Sequence, residues 1–494
     1  MPYQHGVRTS EVAPSILPTT EVDSALPVIV GTAPVSMTDP TNVNKPVLCH
    51  SYDEFVQQFG FVPPALNSTS GLQEYTFTLC EAAYALFALF NVGPAVFINV
   101  LDPTTHKKTA TTVTITLDSK TGSATVAEAG IIPSSVTITP SDAGAYVQDT
   151  DFVLAFDDDG NLVVTSLKDE GGDFKCTVGT SLTFAAEVLD PTMVDEDAVI
   201  GGVDVSGTKK GFELVGEVYP RFGLVPGTLI APGYSSDPSV AAVMAAKCTS
   251  ISGRFNAMCA VDVPTDEVTT YSAVTSWKQT NNYTDARQIV CWPLLSLDGV
   301  KYHLSTQMAA LMAQVDGEND GTPYVSPSNH GVQCTATVLA DGSEVWLDLD
   351  EAAYLNGQGV VTAINQTSGW TAWGNRTGAY PGTTDVKDNF IPIRRMFNWI
   401  GNTLITTFWS RLDAPINRRL IDTIVDSANI WLNGLGARQY ILSGRVAFLE
   451  SENTTSDLMD GIINFHVYIC PPSPARDLSF VMEYDANGLT ALFE

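Results

Sequence analysis

The stretch Phe87-Ala88-Leu89-Phe90-Asn91-Val92-Gly93-Pro94-Ala95-Val96-Phe97-Ile98-Asn99-Val100 decides the fold class. Over residues 72–90, leading into it, Leu79, Ala83, Leu86 and Phe90 recur at helical spacing; Gly93-Pro94 then breaks the helix into an apolar run of strand length. The same order appears upstream. Val28-Ile29-Val30-Gly31 reads as a short buried strand, and Ser51-Tyr52-Asp53-Glu54-Phe55-Val56-Gln57-Gln58-Phe59-Gly60 as a helix capped by Ser51, with Glu54 closing a capping box and Gly60 as the stop. Strands alternating with helices predict β-α-β units and an α/β fold.

Working outward, residues 1–27 contain Pro2, Pro14, Pro18 and Pro27 among scattered Thr and Ser, which excludes a helix and predicts an extended arm in need of a partner. Residues 104–197 shift to Thr, Val, Ser, Gly and Asp with two-residue alternation, as in Thr112-Val113-Thr114-Ile115-Thr116-Leu117. This predicts an all-β insert, whose clearest hairpin turns at Asp157-Asp158-Asp159-Gly160-Asn161, a tip expected to lie in solvent. The α/β pattern returns over 198–376, with strands at 228–231 and 257–261 and a helix at 237–250. Two amphipathic helices follow, one through Met396, Phe397, Ile400, Leu404 and Phe408, the other through Ile416, Leu420, Ile424, Ala428 and Trp431. Asp413 before Pro415 is the expected cap of the second and Gly434 its expected end. Strands are expected at 462–469 and, beyond Pro471-Pro472, at 478–484. The resulting division is an arm over 1–27, α/β segments over 28–103 and 198–376, the insert over 104–197, a C-terminal α/β unit over 377–477 and a C-terminal arm over 478–494.

A chain of 494 residues exceeds what one core serves, at about 150 residues per domain. Its 44% hydrophobic and 16% charged residues exclude wholesale disorder. Its 55 acidic against 25 basic residues, a formal charge of −30, argue against nucleic acid or anionic lipid as the main partner. Eight scattered cysteines without a CxxC pair read as reduced thiols of a cytosol, and the Met1-Pro2-Tyr3-Gln4-His5 start carries no basic-then-apolar export signal. With no run of about 18 apolar residues, membrane insertion is not expected.

Residues that could carry chemistry are few. The six histidines lack metal-ligand spacing, and Asp157-Asp158-Asp159-Gly160 lacks the distal Glu of a calcium loop. Gly233-Tyr234-Ser235-Ser236-Asp237 lacks the second Gly of a nucleophile elbow, and Asp237 reads better as a helix cap. Gly201-Gly202 and Gly357-Gln358-Gly359 lack the spacing of a phosphate loop. Neither a catalytic, metal nor cofactor site is expected. One charge feature stands out: Lys387, Arg394, Arg395, Arg411, Arg418 and Arg419 form a basic island, readable as a solvated face or as a seam for an acidic partner.

In their order these segments resemble the contractile tail sheath family of phages, R-type pyocin-like particles and, distantly, type VI secretion sheaths. The residues that carry the resemblance are His5-Gly6-Val7-Arg8-Thr9-Ser10-Glu11, Val28 to Pro34, Ser51 to Phe55, Phe87 to Val100, Ala231-Pro232-Gly233-Tyr234, Pro323 to Asn329, the Trp-Gly-x-Arg-Thr pattern at Trp373-Gly374-Asn375-Arg376-Thr377, and Phe390-Ile391-Pro392-Ile393-Arg394-Arg395. Val92 departs from the family pattern, which often has Gly there, and the insert has no fixed counterpart.

The resemblance implies a multidomain α/β (α+β) sheath fold with discontinuous α/β domains, and a non-enzymatic structural subunit. Such a subunit stacks as hexameric rings in a helical cylinder around an inner tail tube, in a virion tail or tail-like particle assembled in a bacterial cytoplasm. It contracts without nucleotide to drive the tube through a cell envelope. Implied partners are other copies of the chain, the tube protein, and the baseplate and tail terminator proteins. Two sets of site residues are expected on this reading. Val7, Arg8, Thr9, Glu11 and Val12, with Leu478, Phe480, Met482 and Tyr484, would form inter-subunit arms, and Arg394, Arg395, Arg418 and Arg419 a basic seam facing the tube. The competing readings are a non-contractile tail-surface subunit or adhesin and an α/β enzyme with a carbohydrate-binding insert. Glycan turnover would favour the enzyme, and a trimeric particle the adhesin.

Overall fold

The computed structural model describes residues 17–109, 112–141 and 144–485. Its centre is an eight-stranded sheet in the order Pro46–Cys49, Ala95–Asn99, Pro27–Gly31, Thr228–Ile230, Met258–Asp262, Gln288–Cys291, Val360–Gln366, Gly369–Trp373. The six inner strands run parallel, and the two edge strands are antiparallel to their neighbours. Pro27–Gly31, Ala95–Asn99 and Met258–Asp262 are buried at every residue. Apolar side chains on both faces of a strand need helices on both faces of the sheet. Leu304–Gly317 packs across four of the strands, and Pro238–Lys247 and Thr78–Ala83 add further cover.

The local signals set most of the boundaries. Ser51 accepts the N–H of Glu54 at the start of Tyr52–Phe59, and Asp237 accepts the N–H groups of Ser239 and Val240 at the start of Pro238–Lys247. The helix expected over 72–90 is shorter. It starts at Thr78, and over Tyr84–Leu89 it widens to π-helical turns. Tyr75, Thr76 and Phe77 favour extended backbone, and Gln73–Glu74 forms a short strand beside Val300–Tyr302.

Within 104–197, Lys107–Thr109 pairs with Glu187–Leu189 as a two-stranded neck. Beyond it lie two antiparallel three-stranded sheets, Phe152–Phe156 with Leu162–Ser166 and Ser123–Val126, and Val113–Thr116 with Ser181–Ala185 and Thr137–Pro140. They enclose their own core, including Leu117, Ile138, Phe152, Leu162 and Phe184. At the hairpin tip Asp158 and Asp159 are exposed, as expected of a solvated turn, but the turn glycine is not. Gly160 is buried with φ +77°, and a Cβ there would lie 3.1 Å from the Phe61 carbonyl oxygen and 3.1 Å from Val62. The tip therefore rests on the α/β body, so the insert is held at both its neck and this turn.

The third core lies between Ile391–Phe408, Arg418–Ala437 and the hairpin Ser443–Ala447/His466–Cys470. Here four expectations are corrected. The cap of the second helix is Asn417, whose side chain accepts the N–H of Leu420, while Asp413 sits in the preceding turn at φ +62°. The helix continues past Gly434 to Ala437, because buried Leu435 anchors another turn and its carbonyl accepts the N–H of Tyr440. The strand expected over 462–469 is the shorter His466–Cys470, and residues 478–484 form no strand in the single chain.

Candidate subunit interface

Arginine in the apolar stripe of a helix must be paired when buried, since an isolated guanidinium in a core is costly. Arg395, 3% exposed, is paired in this way: one N–H reaches Asp316 Oδ1 at 3.0 Å and another bonds Asp316 Oδ2. The Ser24 hydroxyl donates to the same carboxylate. One buried cluster thus ties the N-terminal segment, the helix Leu304–Gly317 and the helix Ile391–Phe408 together.

This corrects the expected tube-facing seam, because Arg395 is internal. Arg394 is also largely covered, bonding Asp388 at 2.9 Å with its guanidinium over Phe397. Arg418 and Arg419 are exposed, and Arg418 bonds Asp422 at 2.8 Å. Signs of the burial were present in the sequence: Arg395 lies one turn before Trp399, inside the apolar repeat.

Residues 17–25 cross the same helical pair. Leu17 N–H donates to Ser427 Oγ at 3.0 Å, and Thr20 is bonded through its N–H to Thr407 and through its carbonyl to Thr406. The indole N–H of Trp399 donates to the Val22 carbonyl at 2.9 Å, and that of Trp431 to Glu21 at 2.7 Å. This part of the predicted arm finds its partner within the same chain. Val7, Arg8, Thr9, Glu11 and Val12 lie outside the described residues.

Among the described residues, the C-terminal hairpin has hydrogen-bond partners along one side only. Val446 N–H donates to Asn429 Oδ1 at 2.7 Å and Asn429 Nδ2 donates to the Val446 carbonyl at 3.0 Å, so that edge is closed by a side-chain amide. In an antiparallel pair, backbone groups alternate between partner and outside. Val467 lies opposite Val446 and Ile469 opposite Gly444, so their N–H and C=O groups face outward from the far edge. Nothing in the sequence marks Asn429 for this role. Beyond Cys470, Leu478, Phe480, Val481, Met482 and Tyr484 are all exposed, Phe480 at 87%, Val481 at 93% and Met482 at 94%. A strand edge that lacks a partner among the described residues and an apolar extended tail are the two features that strand addition between chains requires.

A second candidate lies at the carboxyl ends of the parallel strands, where open α/β sheets commonly bind ligands. A cavity of about 310 Å³ is lined there by Tyr75, Glu81, Asp262, Asp266, Lys301 and His303, among others. Glu81 accepts both the His303 N–H, at 2.7 Å, and its ring Nδ1–H, at 2.8 Å, and Lys301 pairs with Glu74 at 2.5 Å. Burial pulls the His303 pKa down, but the Glu81 carboxylate outweighs it and holds the value at about 9. Ser235, from the incomplete elbow, is buried and donates to Asp262, whose carboxyl burial pushes upward in pKa and which also accepts Ser305 N–H at 3.0 Å. These bonds cross-link the loops above the sheet. Among the described residues no cluster of three His, Cys, Asp or Glu could hold a metal, and no helix is long and apolar enough to cross a membrane.

No family model matches the chain. It is 29% identical over 516 aligned positions to the tail sheath protein of Burkholderia phage BcepMu, covering 99% of this chain and 98% of that protein. It is 23% identical over 357 positions to a putative prophage major tail sheath protein of Pseudomonas aeruginosa strain UCBPP-PA14, covering 67% and 88%. Among solved structures, the contracted sheath complex of the PVC extracellular contractile injection system aligns over 99% of both chains with a TM-score of 0.56 and 13% identity. The contracted helical sheath of the anti-feeding prophage aligns over 98% of this chain and 100% of its own, with a TM-score of 0.55 and 14% identity. The likeness to these two structures is one of fold.

Proposed function

From the premise that this chain belongs to the tail sheath family, we infer that it is a structural subunit of a contractile sheath, polymerising with copies of itself and shortening. The observation that carries the assembly mode is the unpaired edge at His466–Cys470 together with the exposed tail at 478–484. The tail of one subunit adds to the hairpin of a neighbour, with main-chain hydrogen bonds for affinity and alternate side chains for register. On this reading Leu478, Phe480, Met482 and Tyr484 lie on one face of the added strand, and Val7, Arg8, Thr9, Glu11 and Val12 supply a second arm. Bendable segments between rigid bodies let subunits rotate without losing these bonds. No nucleotide is required if the contracted lattice has the lower free energy, since the difference in contacts between the two lattices then drives the motion.

The finer features belong to the same proposal: hexameric rings, an inner tube, baseplate and terminator partners, assembly in a bacterial cytoplasm, and the division at 27, 103, 197, 376 and 477. Of the four arginines expected to face the tube, Arg418 and Arg419 remain candidates because both are exposed. The test is negative-stain microscopy of the chain with its cognate tube protein, before and after removal of residues 478–494. Hollow striated cylinders from the full chain, and folded monomers of unchanged melting temperature from the truncated one, are expected. Cylinders from both would remove the tail from the mechanism, and monomers from both would remove the sheath.

A further inference from the structure

Between Lys301 and Arg376 the chain has neither lysine nor arginine, and within that span Asp341, Glu344, Asp348, Asp350 and Glu351 crowd together. Lys301, which bonds the Ala340 carbonyl at 2.8 Å, is paired with Glu74. None of the five carboxylates has a cationic partner among the described residues. Large apolar side chains stand in solvent among them, Trp346 at 65% exposure and Leu349 beside it. The Trp346 ring lies 6.1 Å from that of Trp370, and its indole N–H donates to Glu344 at 3.0 Å, so its orientation is fixed. Reciprocal capping of the helix Leu349–Asn356 explains Asp348 and Glu351, but not the exposure of Trp346 and Leu349.

A patch of the opposite charge is built where the helix Ile391–Phe408 ends. The Arg254 guanidinium stands 4.2 Å from the ring centroid of Trp409 and 5.2 Å from that of Phe255. Arg287 donates to Asn256 Oδ1 at 3.2 Å, and the Asn402 side chain clamps the Asn256 backbone, accepting its N–H at 3.0 Å and donating to its carbonyl at 2.8 Å. Arg411 closes the turn that Trp409 opens. Each of the three arginines keeps a buried Nε–H without a partner among the described residues. They outnumber Asp285 and Asp413, which stand two positions from Arg287 and Arg411. Trp409 is 54% exposed and Leu412 is exposed beside it. Tryptophan and arginine together are what the centres of protein interfaces favour.

The two patches lie at opposite ends of the central sheet. Arg254 and Arg287 precede Met258–Asp262 and Gln288–Cys291, at the amino ends of parallel strands. Trp370 pairs with Asn365, near the carboxyl end of Val360–Gln366, and Val360 is level with Val290. Three strand steps from Arg287 to Val290 and five from Val360 to Asn365 span about 26 Å. One copy of the chain therefore cannot bring its own patches together. We propose that the Trp346 patch of one copy docks on the Trp409 patch of a second copy, carboxylates against arginines and apolar side chains between them. The inference rests on the sheath reading and deepens it by naming two surfaces that meet. Because the surfaces differ, each docked pair still offers one of each, and the contact repeats along an open array. Opposite charge speeds the docking and makes it sensitive to salt.

The test is assembly of the full chain on tube, measured by sedimentation and microscopy. Trp346→Ala and Arg411→Glu each raise the critical concentration by at least about tenfold. Lys120→Glu, a charge change on the insert equal to that of Arg411→Glu, shifts it less than about twofold. A second measurement needs no disruptive variant: Arg411→Lys is polymerised from mixed isotopically light and heavy chains and treated with a zero-length carbodiimide. A cross-link from position 411 to a carboxylate within 341–351 of a different chain is expected. Wild-type cylinders with both disruptive variants assembling equally well, or with position 411 joined to no carboxylate of 341–351, would overturn the docking alone. A wild type that never polymerises on tube would overturn the sheath reading and the docking with it.

Discussion

Residues 17–25 and residues 473–484 are both extended and both flank the C-terminal helical core, yet one is bonded along its length and the other leaves its large apolar side chains exposed. The first gives its backbone to Ser427, Thr406, Thr407 and Trp399 and its Glu21 to Trp431. The second shows Leu478, Phe480, Val481, Met482 and Tyr484 to solvent. The contrast separates two jobs that extended chain can do. A segment whose polar groups are satisfied within its own chain contributes to that chain's stability, whereas one whose apolar groups are unsatisfied contributes only once a partner arrives.

The largest effect should come from the buried knot that fixes the first segment. Arg395→Met should lower unfolding free energy by about 3–5 kcal/mol in urea titration, because Asp316 is left charged and buried, and adding Asp316→Leu should recover most of it. Recovery of nothing by the double change would mean that shape, not charge, holds the knot.

A change remote from both segments calibrates the scale. His303 has its folded pKa raised to about 9 from 6.5, so its contribution is fully present below pH 6.5 and is lost as pH rises through about 9. Thermal stability should fall across that window by an amount equivalent to at most about 3 kcal/mol. His303→Gln should flatten that part of the profile, and a variant profile as steep as the wild type's would show that other groups titrate there.

Trp431→Phe, which removes the indole N–H from Glu21, should cost about 1 kcal/mol. Phe480→Asp should move monomer stability by less than about 0.5 kcal/mol while reducing assembly on tube, since its exposed ring has no packing to lose in the single chain. If Phe480→Asp destabilised the monomer as much as Trp431→Phe, the distinction between the two segments would fail.

Much of this was legible in the sequence wherever the signal was local. Caps at Ser51 and Asp237, the Gly93-Pro94 break and the Asp159-Gly160 turn act over three or four residues, and a sequence window contains them whole. What escaped depends on residues far apart in the chain. Arg395 looked like part of a charged seam because its partner Asp316 is 79 positions away, and Ser24, which bonds the same carboxylate, lies 371 positions from Arg395. The tail at 478–484 reads as a strand by alternation, and alternation is a property of a strand in its assembly, not of one lacking a partner. Asn429 gave no sign at all, since its value lies in meeting Val446 across a tertiary contact.

The buried Gly160 against Phe61 and Val62 gives the insert a second point of attachment besides its neck. A body hung from one point swivels, and a body hung from two does not. Whatever a proteinaceous tag or natural ligand grips on those β-sheets is therefore turned through the same angle as the α/β body beneath it. Labels on the insert would accordingly act as pointers to the rotation of each subunit, with no slack between pointer and dial.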